Sequence, residues 1–129
     1  MKILATNGQP NAIRYGASYK SNTNLAANTP ETVFAPGSNV NGAYVWEAGF
    51  VHSNAGGMGA AFLAKTSAPA TVLDGDVVCG MSGAAASGAS NLNFGQMPQP
   101  VFVPAGKGLY FISTNAENNA NRHALFTLL

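Results

Sequence analysis

The stretch VFVPAGKGLYFIS at 101–113 decides how the chain is read. Two apolar runs flank a Pro-Ala-Gly-Lys-Gly core, which must either hold a ligand or turn the chain. A phosphate loop needs a Gly five residues before its Gly-Lys pair and a Ser or Thr directly after the Lys. Those positions are Val101 and Gly108, so the amide cradle is incomplete and no hydroxyl is placed to ligate magnesium. Turn chemistry fits instead. Pro104 cannot donate to a ladder and ends one strand, Gly106 and Gly108 permit turn dihedrals, and Lys107 is expected in solvent at the tip. The stretch is predicted as strand, corner, strand.

The same pattern recurs upstream. ETVFAP at 31–36, AYVWEAGFVH at 43–52, AAFLAKT at 60–66, TVLDGDVVC at 71–79, PVFVP at 100–104, GLYFIS at 108–113 and HALFTLL at 123–129 are short and rich in apolar, β-branched or aromatic residues. Gly, Pro, Asn or Ser bound most of them, which predicts strands of a sandwich or jelly roll. Alternation in AYVWEAGFVH puts Tyr44, Trp46, Ala48 and Phe50 on one face, expected in the core, and Val45, Glu47 and Val51 on the other. GLYFIS is apolar on both faces, so its strand needs a covering on each side. The Gly-rich stretches SNAGGMGA at 53–60 and GMSGAAASGAS at 80–90 are read as loops.

Residues 1–28 differ from the rest. Ile3, Leu4, Ile13, Tyr15, Tyr19 and Leu25 are isolated apolar positions in an Asn/Ser/Gly background. This segment is predicted as an extended N-terminal arm, partly strand, that gains order on another subunit. Residues 29–129 form the sandwich domain in this reading. Ile3, Leu4, Ile13, Tyr15 and Tyr19 are the candidate subunit or capsid interface.

At 129 residues the chain is one domain by length. Only 9% of its residues are charged, against about 25% in average soluble domains. Asn, Ser, Thr and Gln carry the polarity. With 47% hydrophobic residues, such a surface has little electrostatic protection against association, and an assembly is expected. Lys2, Arg14, Lys20, Lys65, Lys107 and Arg122 are scattered singly, so no nucleic-acid footprint can be drawn. No apolar run approaches the roughly 20 residues of a membrane span, and MKILATNG is too short for a signal peptide, so a soluble, unprocessed chain is expected. Cys79 is the single cysteine. It excludes an internal disulfide, suggests synthesis in a reducing compartment, and reads as an inert strand thiol.

Catalytic and metal patterns fail on spacing. A cupin-type metal site would need His at Leu109 and Asn at Ser113. His52 and His123 are far apart, with no carboxylate at ligand spacing. Asp74-Gly75-Asp76 lacks the EF-hand continuation, because Val78 and Cys79 occupy the next oxygen and loop-Gly positions. In CGMSGA at 79–84, Met81 stands where a chymotrypsin-type protease has Asp. No catalytic, cofactor-binding or metal-ligating residue is assigned, and the chain is not expected to be an enzyme.

The segments TPETVFAPGSNVNGAYVWEAGF at 29–50 and VFVPAGKGLYFISTNAENNANRHALFTLL at 101–129 together resemble small jelly-roll virion proteins of tailed bacteriophages, of the capsid cement, decoration or head-fibre type. The resemblance touches about half the chain. It implies an all-β, antiparallel β-sandwich of jelly-roll type and a structural role: a cement or decoration subunit that oligomerises, with a trimer favoured, and stabilises the major capsid shell. The major capsid protein would be its partner and the capsid surface its location, after synthesis in the host cytoplasm. The alternative is a carbohydrate- or receptor-binding module of a phage fibre or tail appendage. Tyr44 and Trp46 are its candidate stacking platform, set against their expected core placement.

Overall fold

The computed structural model describes residues 16–54, 58–83, 91–97, 99–116 and 121–129. These form nine strands: β1 (Ala17–Ser21), β2 (Glu31–Phe34), β3 (Ala43–Asn54), β4 (Met58–Lys65), β5 (Asp76–Gly83), β6 (Asn91–Gln96), β7 (Val101–Val103), β8 (Gly108–Ser113) and β9 (Arg122–Leu128). Sheet I has the order β1-β9-β3-β6, with β7 also on β3, and sheet II has the order β2-β8-β4-β5. All pairs are antiparallel.

The topology is one long hairpin rolled into a sandwich. β4 pairs β5 at the tip, β3 pairs β6 and β7, β2 pairs β8, and β1 pairs β9 at the open end. Rolling then brings β9 beside β3 and β8 beside β4, closing the two sheets. This is the jelly roll. β6 and β7 act as one broken strand along β3, with Pro100, which has no ladder donor, directly before β7.

The inner faces meet in one aromatic core. Phe62 and Phe111 are fully buried, with ring centroids 5.2 Å apart, and Phe34 meets Phe126 at 4.8 Å. Each fully buried ring contributes about 1.5–3 kcal/mol of apolar transfer. The two-sided character of β8 is satisfied within the chain. Leu109 and Phe111 enter this core, while Ile112 packs with Ala61 and Leu63 on the outer face of sheet II, under Val72 of the β4–β5 connection. That connection is held by Asp74, which accepts from Lys65 Nζ at 2.5 Å and from the Ala70 amide at 2.8 Å. Its turn, closed by the Asp74 amide on the Thr71 carbonyl, occupies the start of the strand expected at 71–79, and β5 begins only at Asp76.

The 101–113 corner forms as read, with one correction. The amide of Lys107 donates to the carbonyl of Pro104, and Gly106 takes φ +79°. Asn39, fully buried, fastens the turn through Nδ2 to the carbonyls of Pro104 (2.8 Å) and Lys107 (2.9 Å), and its backbone carbonyl accepts from the Gly106 amide (2.7 Å). Lys107 does not stand free at the tip, because its ammonium pairs with Asp76.

The sandwich also takes in residues 17–28, which the sequence reading assigned to the arm. β1 is an edge strand on β9, Tyr19 packs against the core, Leu25 is buried, and the Asn28 amide donates to the Ser113 carbonyl. An edge strand buries only one face, so its outward Ser18 and Lys20 make the segment look polar. Two further stretches read as loops also extend ladders, since β5 continues to Gly83 and β3 and β4 reach Asn54 and Met58.

Arg122 closes the open end of the roll. Its fully buried guanidinium donates to Glu31 Oε1 (2.9 Å, from Nε) and Oε2 (2.6 Å, from Nη2), donates to the Thr23 carbonyl (2.9 Å), and lies 5.2 Å from the Phe111 ring centroid. The bidentate pair therefore ties β9 to β2 and to the β1–β2 connection. Removing one partner of a buried pair leaves the other charge uncompensated, so Arg122→Ala should cost about 3–5 kcal/mol in urea unfolding. A loss within experimental error would remove this ion pair as the fastening of the open end.

Candidate functional site

β3 carries a bulge. Its register against β9 runs Val45↔Phe126 and then Glu47↔Leu125, so Trp46 is the extra residue. Val45 and Ala48 both point inward and are fully buried, while Tyr44, Trp46 and Glu47 all lie on the outer face of sheet I. This corrects the expected core placement of Tyr44 and Trp46. Strict alternation holds only within an unbroken ladder, and the bulge inverts the faces between Val45 and Ala48.

The outward aromatics form a ridge. Tyr44 stacks on Trp46 with centroids 5.3 Å apart and planes 26° apart, and meets Phe102 of β7 edge-on at 5.3 Å. Trp46 Nε1 donates to Thr127 Oγ1 at 2.8 Å, which fixes the indole and satisfies its only polar atom. Gly42, at φ +109°, makes room for the end of the ridge, since a Cβ there would fall 2.5 Å from Phe102 Cζ. Tyr44 and Phe102 remain 39% and 48% exposed, too open for core residues and rigidly backed.

Where the ridge ends, a polar depression begins. An open hollow of about 630 Å³ is lined by Lys20, Asn22, Glu47, Asn121 and His123 together with the edge of Arg122. His123 Nε2 lies 3.2 Å from Glu47 Oε1. Because Glu47 and Trp46 are the adjacent outward residues of the bulge, hollow and ridge are continuous along β3.

The opposite face of the sandwich has a different surface. A shallow apolar groove of about 240 Å³ crosses β4 and β5, lined by Ala60, Ala61, Val72, Leu73 and Val77. Leu73 and Val77 are 86% and 58% exposed.

Of the interface residues expected from sequence, Tyr19 is in β1 with its ring against the protein's own core. Ile3, Leu4, Ile13 and Tyr15 lie outside the described residues. The aspartates are used in ion pairs, Asp74 with Lys65 and Asp76 with Lys107. The Lys65 and Ala70 donors hold the Asp74 carboxyl below its ordinary range. Among the described residues no three His, Cys, Asp or Glu side chains gather to hold a metal ion, and no helix is long and apolar enough to cross a membrane.

In comparisons with known proteins, no family model and no curated protein matches the chain.

Cys79 sits in β5 among core residues, and burial pushes its thiol up to about 11 from an ordinary 9.0. The thiol is therefore neutral and covered in the native state at pH 8. An aromatic disulfide reagent should label it only after denaturant is added, and labelling of the native protein at the rate of a free thiol would contradict the burial. Because the folded value exceeds the unfolded one, the stabilisation is complete below pH 9 and is lost as pH rises toward 11.

Proposed function

We propose that the chain is a structural virion protein, a capsid cement or decoration subunit that forms a homo-oligomer and seats on the major capsid protein. Its resemblance to small phage virion proteins and its jelly-roll topology, an architecture that viral capsid proteins use widely, support this reading. The observation that carries it is the apolar groove on sheet II. Leu73 and Val77 stand open to solvent on a chain with only 9% charged residues. Burying two such aliphatic side chains contributes about 1.5–3 kcal/mol each at an interface.

Seating through sheet II leaves the aromatic face of sheet I turned away from the shell, since the two outer faces point in opposite directions. A bridging subunit also needs contacts to its own copies, and a surface poor in like charges permits them.

The test is to mix the purified protein with emptied capsids, sediment them and measure stoichiometry. Saturable occupancy is expected, with at least a tenfold loss of affinity for Leu73→Asp and Val77→Asp and unchanged melting temperatures. Light scattering of the free protein should show an oligomer. Absence of capsid binding by the intact protein would overturn the assignment.

A further inference from the structure

We propose that the outer face of sheet I is a saccharide-binding site, with a pyranose ring seated on the Tyr44–Trp46 pair and hydroxyl groups directed into the adjoining hollow. A pyranose has an apolar C–H face and a rim of hydroxyls that both donate and accept. The ridge offers the half-exposed ring of Tyr44 backed by the stacked indole of Trp46, whose N–H is already bonded to Thr127 Oγ1, so covering the pair leaves no polar atom of the indole stranded. The hollow offers donors in the Lys20 ammonium and the amides of Asn22 and Asn121, and acceptors in Glu47 and the amide carbonyls.

Charge narrows the ligand class. Lys20 and Glu47 both line the hollow and offset each other, while the Arg122 guanidinium is already paired with Glu31. A phosphate-rich ligand would meet the Glu47 carboxylate, and a purely apolar peptide would have to cover Lys20 and Glu47 without compensating them. A neutral oligosaccharide meets neither penalty. From Tyr44 to Gly49 the face extends about 17 Å along β3 at the usual strand rise, which gives length for a short oligosaccharide. Preorganisation favours binding further. The aromatic pair is fixed by the Thr127 bond and by Phe102 packed edge-on against Tyr44, so little side-chain freedom is lost when a ring settles on it.

Trp46 is the sole tryptophan of the chain, so its fluorescence reports on this site alone. The experiment titrates the intact protein with maltohexaose, cellohexaose and chitohexaose. A saturable change in Trp46 emission is expected with at least one of them. Tyr44→Ala and Glu47→Gln should each weaken that binding at least tenfold with the melting temperature preserved, and Leu73→Asp on the opposite face should leave it unchanged. No saturable change with any of the three overturns the proposal. So does a response that survives both Tyr44→Ala and Glu47→Gln. The readout needs no capsid, so failure here leaves the sheet II assignment standing, and failure of capsid binding leaves this one standing.

Discussion

The bulge at Trp46 is the constraint on which the described surface and core both depend. With the same residues in an unbroken ladder, strict alternation from Val45 would carry Glu47 and Gly49 into the sandwich and turn Ala48 and Phe50 out to solvent. A carboxylate would then be buried among phenyl rings at a cost no nearby partner offsets. With the bulge, Val45, Ala48 and Phe50 all reach the core, and Trp46 and Glu47 emerge side by side on the outer face. One added residue thus supplies both the aromatic platform and its polar neighbour. β5 uses the same device in reverse. Its ladder with β4 steps from Cys79 to Val77, and the skipped Val78 joins Cys79 in the core.

The rolled hairpin explains why the two outer faces differ. Sheet II is covered in part by its own β4–β5 connection, which leaves only the groove beside Leu73 and Val77 open. Sheet I has no such cover on the described residues at its β3–β7 side, and the exposed rings lie there. Arg122 couples the open end of the roll to the core through Glu31 and Phe111, and the edge strand β1 is tied to that ion pair by Ser21, which accepts from Arg122 and donates to Glu31, as well as by its ladder to β9.

Much of this fold was legible in the sequence because most strands announce themselves through β-branched and aromatic residues between turn formers. ETVFAP, PVFVP, GLYFIS and HALFTLL all contain strands close to where they were read. Three features were not legible, each for a physical reason. β1 falls in the segment read only as partly strand, and an edge strand that covers one side of a core needs few apolar residues, while the β6 strand NLNFGQ is polar and Gly-containing. The bulge has no residue signature, since Trp46 and Glu47 are ordinary strand and surface residues whose facing is set by β9. The Lys107–Asp76 pair joins positions 31 residues apart, which only the packing of β8 and β5 into the same sheet can bring together. Of the candidate site, Tyr44 and Trp46 were visible as a possible platform. The hollow formed by Lys20, Glu47 and His123 draws on three strands and was not.

The bulge, the ridge and its junction with the hollow all require Trp46 to face outward, and the environment of that single indole tests this directly. Acrylamide should quench the native emission at a substantial fraction of the rate seen after unfolding, as a partly covered surface ring stacked on Tyr44 requires. A blue-shifted native emission that acrylamide cannot reach would place Trp46 in the core, removing the bulge, the ridge and the continuity between ridge and hollow together.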